Sequence, residues 1–108
     1  MDHRSWLDRR LLATPGELAE AVRALLGESA DPVPGRMAAC ALATFARIAR
    51  GPQTRECALE LLAADALLTY AFEAAADPVV GGSGNAALQL ARSVGPCGDL
   101  GRLAAEGA

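Results

Sequence analysis

The tripeptide Asp-Pro-Val occurs twice, at Asp31–Val33 and at Asp77–Val79, 46 residues apart. A second echo follows at nearly the same spacing: "LLAADA" from Leu61 and "LAAEGA" from Leu103 lie 42 residues apart. Self-similarity at a period of about 40 to 47 residues is what stacked helical repeats leave in a sequence. Each Asp-Pro also marks a corner, because the residue before a proline disfavours the α region while aspartate caps the helix that follows. A chain of 108 residues has room for one domain, so the repeat must be short.

Composition sets the element type. Hydrophobic residues make up 52% of the chain, alanine dominates them and aromatics reach only 4%. Strands favour β-branched and aromatic residues, whereas alanine favours helices packed through small side chains, so the fold is expected to be all-α. The net charge of −3 and a pI near 5.0 leave no basic stripe for nucleic acid. Cys40, Cys57 and Cys97 are scattered with no C-x-x-C spacing, which fits small residues beside a helical core in a reducing compartment. The charged opening "MDHRSWLDRR" does not read as a signal peptide. Glu60, Asp65 and Glu73 interrupt the longest apolar stretch, so no membrane span is expected. A soluble protein of the cytoplasm, or of the nucleus, is the expectation.

Helix starts and stops follow in order. Residues 5–12 form a short helix, capped by Ser5, with Trp6, Leu7 and Leu11 on its apolar side. Thr14, Pro15 and Glu17 read as cap, first position and capping-box partner of a helix placing Leu18, Val22, Leu25 and Leu26 on one face, stopped by Gly27. Beyond the first Asp-Pro corner, 36–50 carries Ala38, Ala41, Leu42, Phe45, Ile48 and Ala49 on one stripe, with Arg36, Cys40, Thr44 and Arg47 largely opposite. Gly51 and Pro52 break it, and Thr54 caps a helix from Arg55 to about Ala64. Asp65 marks a further corner, leading to a helix with Leu67, Leu68, Tyr70 and Phe72 that ends before Asp77. The second corner exchanges prolines for glycines, which predicts greater flexibility, and introduces a helix over 85–94. A last weak helix is predicted from Asp99 with Leu100 and Leu103.

These residues resemble the armadillo repeat family. An Asp-Pro turn, a long helix of "AACALATFA" type, a polar break with arginine, a short helix and an acidic corner before a leucine-rich helix give one full unit over 31–76. On this division 1–15 is an N-terminal arm, 16–30 a partial first repeat and 77–108 a truncated last one. The resemblance implies a short right-handed α-solenoid of three-helix repeats whose long helices line a protein-binding groove. It therefore implies a non-enzymatic scaffold or adaptor. Importin-like members present Trp and Asn ladders there. The matching positions here hold Cys40, Thr44, Asn85 and Gln89, which implies generic partner binding instead of import cargo.

An alternative likeness exists: "LELLAADALLTYAFEAAAD" is similar to a helix of trans-isoprenyl diphosphate synthases. Those enzymes hold Mg²⁺ through aspartate-rich motifs, and this chain has no such run. No cofactor or metal is expected. The sole histidine, His3, sits near a terminus expected to fray, and "GGSG" lacks the lysine of a phosphate loop, so catalysis is not expected.

The candidate partner-binding face is Arg36, Cys40, Thr44 and Arg47 on one long helix beside Asn85, Gln89 and Arg92 on the next. Amide and guanidinium groups there would hydrogen-bond an extended peptide. One complete repeat and two partial ones fall short of the three or so that a solenoid needs, which predicts self-association through the exposed C-terminal flank, or origin in a longer array.

Overall fold

The computed structural model describes residues 1–28 and 31–95. Among them the chain forms five α-helices and no strand: α1 (His3–Leu12), α2 (Gly16–Leu26), α3 (Pro34–Arg50), α4 (Arg55–Ala76) and α5 (Gly84–Val94), with a 3-10 turn at Pro78–Val80. The all-α expectation holds. The predicted helix at Asp99, together with Cys97 and the "LAAEGA" echo, lies outside the described residues.

Local chemistry explains most boundaries. Thr54 caps α4 as expected, accepting from the Cys57 amide at 3.2 Å. Gly27 closes α2 at φ +71°, a conformation glycine adopts without strain. Other caps differ from expectation. Asp2, not Ser5, caps α1, accepting from the Ser5 amide at 2.7 Å, and that bond holds the Asp2 carboxyl below the usual range. Thr14 makes no cap either: Pro15 is the N-cap of α2, and the Thr14 hydroxyl meets the Tyr70 hydroxyl at 2.7 Å. Val33 rather than Asp31 precedes α3.

The expected corner at Asp65 is absent. α4 runs unbroken for 22 residues, and the Asp65 carbonyl accepts from Thr69 Oγ1 at 3.0 Å. No glycine or proline interrupts this stretch. One aspartate in a helix interior costs about 0.5 kcal/mol relative to alanine, too little to break a run of leucine and alanine. The unit 31–76 therefore holds two helices where the resemblance implies three.

α4 packs against each of the other four helices. Its buried residues are Ala63, Ala64, Leu67, Ala71, Ala74 and Ala75, mostly small side chains that admit neighbouring backbones closely. α3 and α4 form a hairpin across Gly51–Thr54, tied by an Arg47–Glu60 ion pair and by Gln53 Nε2 donating to the Ile48 carbonyl at 3.3 Å. α1 supplies Trp6, Leu7 and Leu11 to the core, as predicted. It lies antiparallel to the second half of α4, as three contacts in reversed order record. Trp6 Nε1 donates to Asp77 at 2.9 Å, Arg10 pairs with Glu73 at 2.9 Å, and Thr14 meets Tyr70. The Arg10 guanidinium also stands 4.8 Å from the centroid of the Trp6 ring, a cation–π distance. Burying a leucine as fully as Leu7 or Leu67 contributes roughly 1.5–3 kcal/mol.

Candidate functional site: a cleft between the two Asp-Pro corners

The two corners share a tripeptide but resolve differently. At the first, the Val33 amide donates to the Asp31 carbonyl at 2.9 Å, Pro32 is buried, and α3 starts immediately at Pro34. The Asp31 side chain accepts from His3 Nδ1 at 3.3 Å. At the second, α4 ends on Asp77, whose carboxylate is divided. Oδ1 accepts from the Val79 amide at 3.0 Å and Oδ2 from Trp6 Nε1 at 2.9 Å. The Trp6 bond first, and then the Val79 amide, hold the Asp77 carboxyl below the usual carboxylate range.

The glycines of the second corner serve close approach. The Gly82 amide donates to the Asp77 carbonyl and the Ser83 amide to the Ala75 carbonyl, each at 2.8 Å. A Cβ on Gly82 would stand 2.5 Å from the carbonyl oxygens of both Ala74 and Ala75, so no larger residue fits. Only then does Ser83 cap α5, accepting from the Ala86 amide at 3.0 Å.

Between the corners lies an open cleft of about 440 Å³. Pro34 and Gly35 of α3 form one wall, Ala74 and Ala75 of α4 contribute a second, and Ala86, Gln89, Leu90 and Ser93 of α5 a third, with His3 among the lining residues. Its surface is mainly apolar and offers the Gln89 amide for hydrogen bonds. Such a volume and lining suit a small ligand or a short peptide segment. A second depression, between α1 and α2, is lined by charged groups of both signs, Arg4, Asp8, Glu20, Arg23 and Glu28.

The residues singled out from sequence are only partly gathered here. Gln89 lines the cleft, exposed Arg36 follows the lining residue Gly35, and exposed Asn85 and Arg92 flank Gln89 on α5. Cys40 is half-buried farther along α3. Thr44 is a correction, because it is 6% exposed and belongs to the core. Met37, Ala41, Thr44 and Ile48 recur at helical spacing as one buried stripe, and the Thr44 hydroxyl is satisfied by the Cys40 carbonyl at 2.9 Å. Ala49, expected inside, is exposed. Arg47, near the far end of α3, is held by Glu60, which keeps its guanidinium more firmly protonated than usual. α5 packs chiefly on α4 and meets α3 over a narrow edge, so the two candidate rows do not face each other along their length.

Sequence reasoning missed His3, Pro34, Gly35, Ala86 and Ser93. The repeated Asp-Pro was the one signal that pointed to them. Among the described residues no group of three or more His, Cys, Asp or Glu side chains gathers as a metal site, and no helix is long and apolar enough to cross a membrane. Comparison with known proteins adds no relative: no family model, no curated protein and no solved structure matches this chain.

Proposed function

We propose that this chain is a non-enzymatic protein–protein interaction module, a scaffold or adaptor that takes a segment of a partner into the cleft between its two Asp-Pro corners. The cleft is the observation that carries the reading. The start of α3, the end of α4 and one face of α5 leave it open, its walls are mainly apolar, and Gln89 stands ready for a peptide backbone. Arg36, Asn85 and Arg92 flank it as exposed polar groups. The armadillo-type organisation is supported by the recurrence of the corner and by the packing of α2 on α4, as the last helices of successive stacked units pack. It is kept in a reduced form, with two long helices, α3 and α4, in the unit 31–76. Self-association through the C-terminal flank is a second use of the same architecture, favoured by two large apolar side chains exposed there, Val79 (58%) and Leu88 (49%). The free thiols of Cys40 and Cys57 suit a reducing compartment such as the cytoplasm.

Affinity capture with the intact chain, followed by mass spectrometry, supplies a partner to purify and titrate. Gln89→Trp, at an exposed position that lines the cleft, is expected to weaken that partner by about tenfold or more. Arg47→Glu, near the far end of α3, is expected to change its affinity by less than about twofold. A partner that binds the Gln89→Trp variant as tightly as the parent refutes the cleft as its site.

A further inference from the structure

α1 grips both Asp-Pro corners at once. His3 Nδ1 lies 3.3 Å from Asp31 Oδ2 at the first corner, and Trp6 Nε1 lies 2.9 Å from Asp77 Oδ2 at the second. Residues three apart lie close together on a helix surface, so one short patch of α1 reaches two corners that are 46 residues apart in the chain. The cleft lies between those corners.

We propose that α1 is a strap that sets the width of this cleft: while Trp6 holds Asp77 the second corner stays in place, and when that bond is released the corner and α5 move together. Three features of the fold support this. First, α5 is thinly anchored. Val94 is its one buried residue, while Ala86 and Leu90 are only half-buried where they line the open cleft. Second, Asp77 is the junction itself, ending α4 and capping the 3-10 turn with the same carboxylate that Trp6 holds. Third, the N-terminal ammonium just before α1 also donates to the Val79 carbonyl of the second corner, at 3.5 Å, whereas the ties of Arg10 to Glu73 and of Thr14, just past α1, to Tyr70 fall on α4 proper. The latter two keep α1 seated whichever way the corner stands. The depressed carboxyl of Asp77 agrees with a bond that the ionised form strengthens. The strap rests on the reading of this cleft as the partner site only for its use, since its mechanics need no partner.

Amide hydrogen exchange on the full chain tests it. Trp6→Phe keeps a ring in the core and removes the indole N–H. The amides of Val80–Ser83 and of α5 are expected to exchange about tenfold faster, the scale of one hydrogen bond to a charged group, with α2 and α3 at parental rates. Asp77→Ser is the second variant, should Trp6→Phe not fold. It retains a cap for Val79 on a side chain too short to reach Trp6, and carries the same expectation. Leu11→Ala is the control, loosening α1 in the core without touching either corner, and its effect is expected to spread over α1, α2 and α4. Uniform acceleration in Trp6→Phe, parental rates in α5, or an α5-confined effect in Leu11→Ala would each overturn the strap. If the strap fails while Gln89→Trp still loses its partner, the cleft reading stands by itself. If the strap holds and Gln89→Trp binds normally, the device acts on something other than that partner.

Discussion

Replacing Asp65 by alanine separates one long helix from two short ones by the sign of its effect. In the structure Asp65 is an exposed residue in the interior of α4, with its carbonyl engaged by Thr69. There aspartate is a poor helix former, and alanine should stabilise the chain by about 0.5 kcal/mol. For a domain of this size that corresponds to a rise of roughly 2–4 °C in Tm. Were Asp65 the cap of a separate helix, its loss would cost about 1 kcal/mol and lower Tm by roughly 4–8 °C. Ala66→Pro supplies a second arm. At the first position of a new helix proline is welcome, but inside a continuous helix it removes the bond to the Leu62 carbonyl and clashes with that turn, costing about 3 kcal/mol or more. Thermal unfolding followed by far-UV circular dichroism reads both variants. A lowered Tm in Asp65→Ala, or an unchanged one in Ala66→Pro, would refute the continuous helix and restore the three-helix unit.

Other expectations follow from the second corner and from the diphosphate-enzyme alternative. Gly82→Ala should destabilise the chain by about 1–3 kcal/mol, because its Cβ meets the Ala74 and Ala75 carbonyls. Gly84→Ala, with open space around the new Cβ, should be neutral or slightly stabilising, and the two are compared by urea denaturation. The folded Asp77 carboxyl lies below its ordinary value of 3.8, so its contribution is present above that pH and is lost as pH falls through the depressed folded value. The Tm gap between the parent and Trp6→Phe should accordingly be widest near neutrality and narrow in acid, and a gap independent of pH would separate Trp6 from the Asp77 charge. Magnesium with inorganic diphosphate should leave Tm unchanged in a thermal-shift assay. A clear rise would revive the diphosphate-enzyme alternative.

Much of the fold was legible because helices announce themselves locally. Trp6, Leu7 and Leu11 share one side of α1 by spacing alone, Thr54 stands at a cap position, and Gly51-Pro52 cannot continue α3. The failures share a physical cause as well. A lone aspartate carries the same local signal whether it caps a helix or is solvated on one, so Asp65 was ambiguous. Helical period with a stripe centred on Ala38, Leu42, Phe45 and Ala49 places Thr44 on the opposite side, whereas the buried stripe runs through Met37, Ala41, Thr44 and Ile48 and an i−4 carbonyl satisfies the hydroxyl. The cleft was less accessible still. It depends on where α5 sits against α4, which is set by the backbone approach at Gly82, and on a His3–Asp31 contact spanning 28 residues. Neither leaves a local pattern.

The order in which the helices are synthesised gives the position of α4 a further meaning. α1, α2 and α3 all leave the ribosome before the helix that each of them packs against. Until Ala63 to Ala75 have emerged, the faces of Trp6, Leu7, Val22 and Met37 lack their main apolar partner, and the nascent N-terminal half remains exposed to chaperones and to its own kind. Translation speed through the codons for α4 therefore sets how long that exposure lasts.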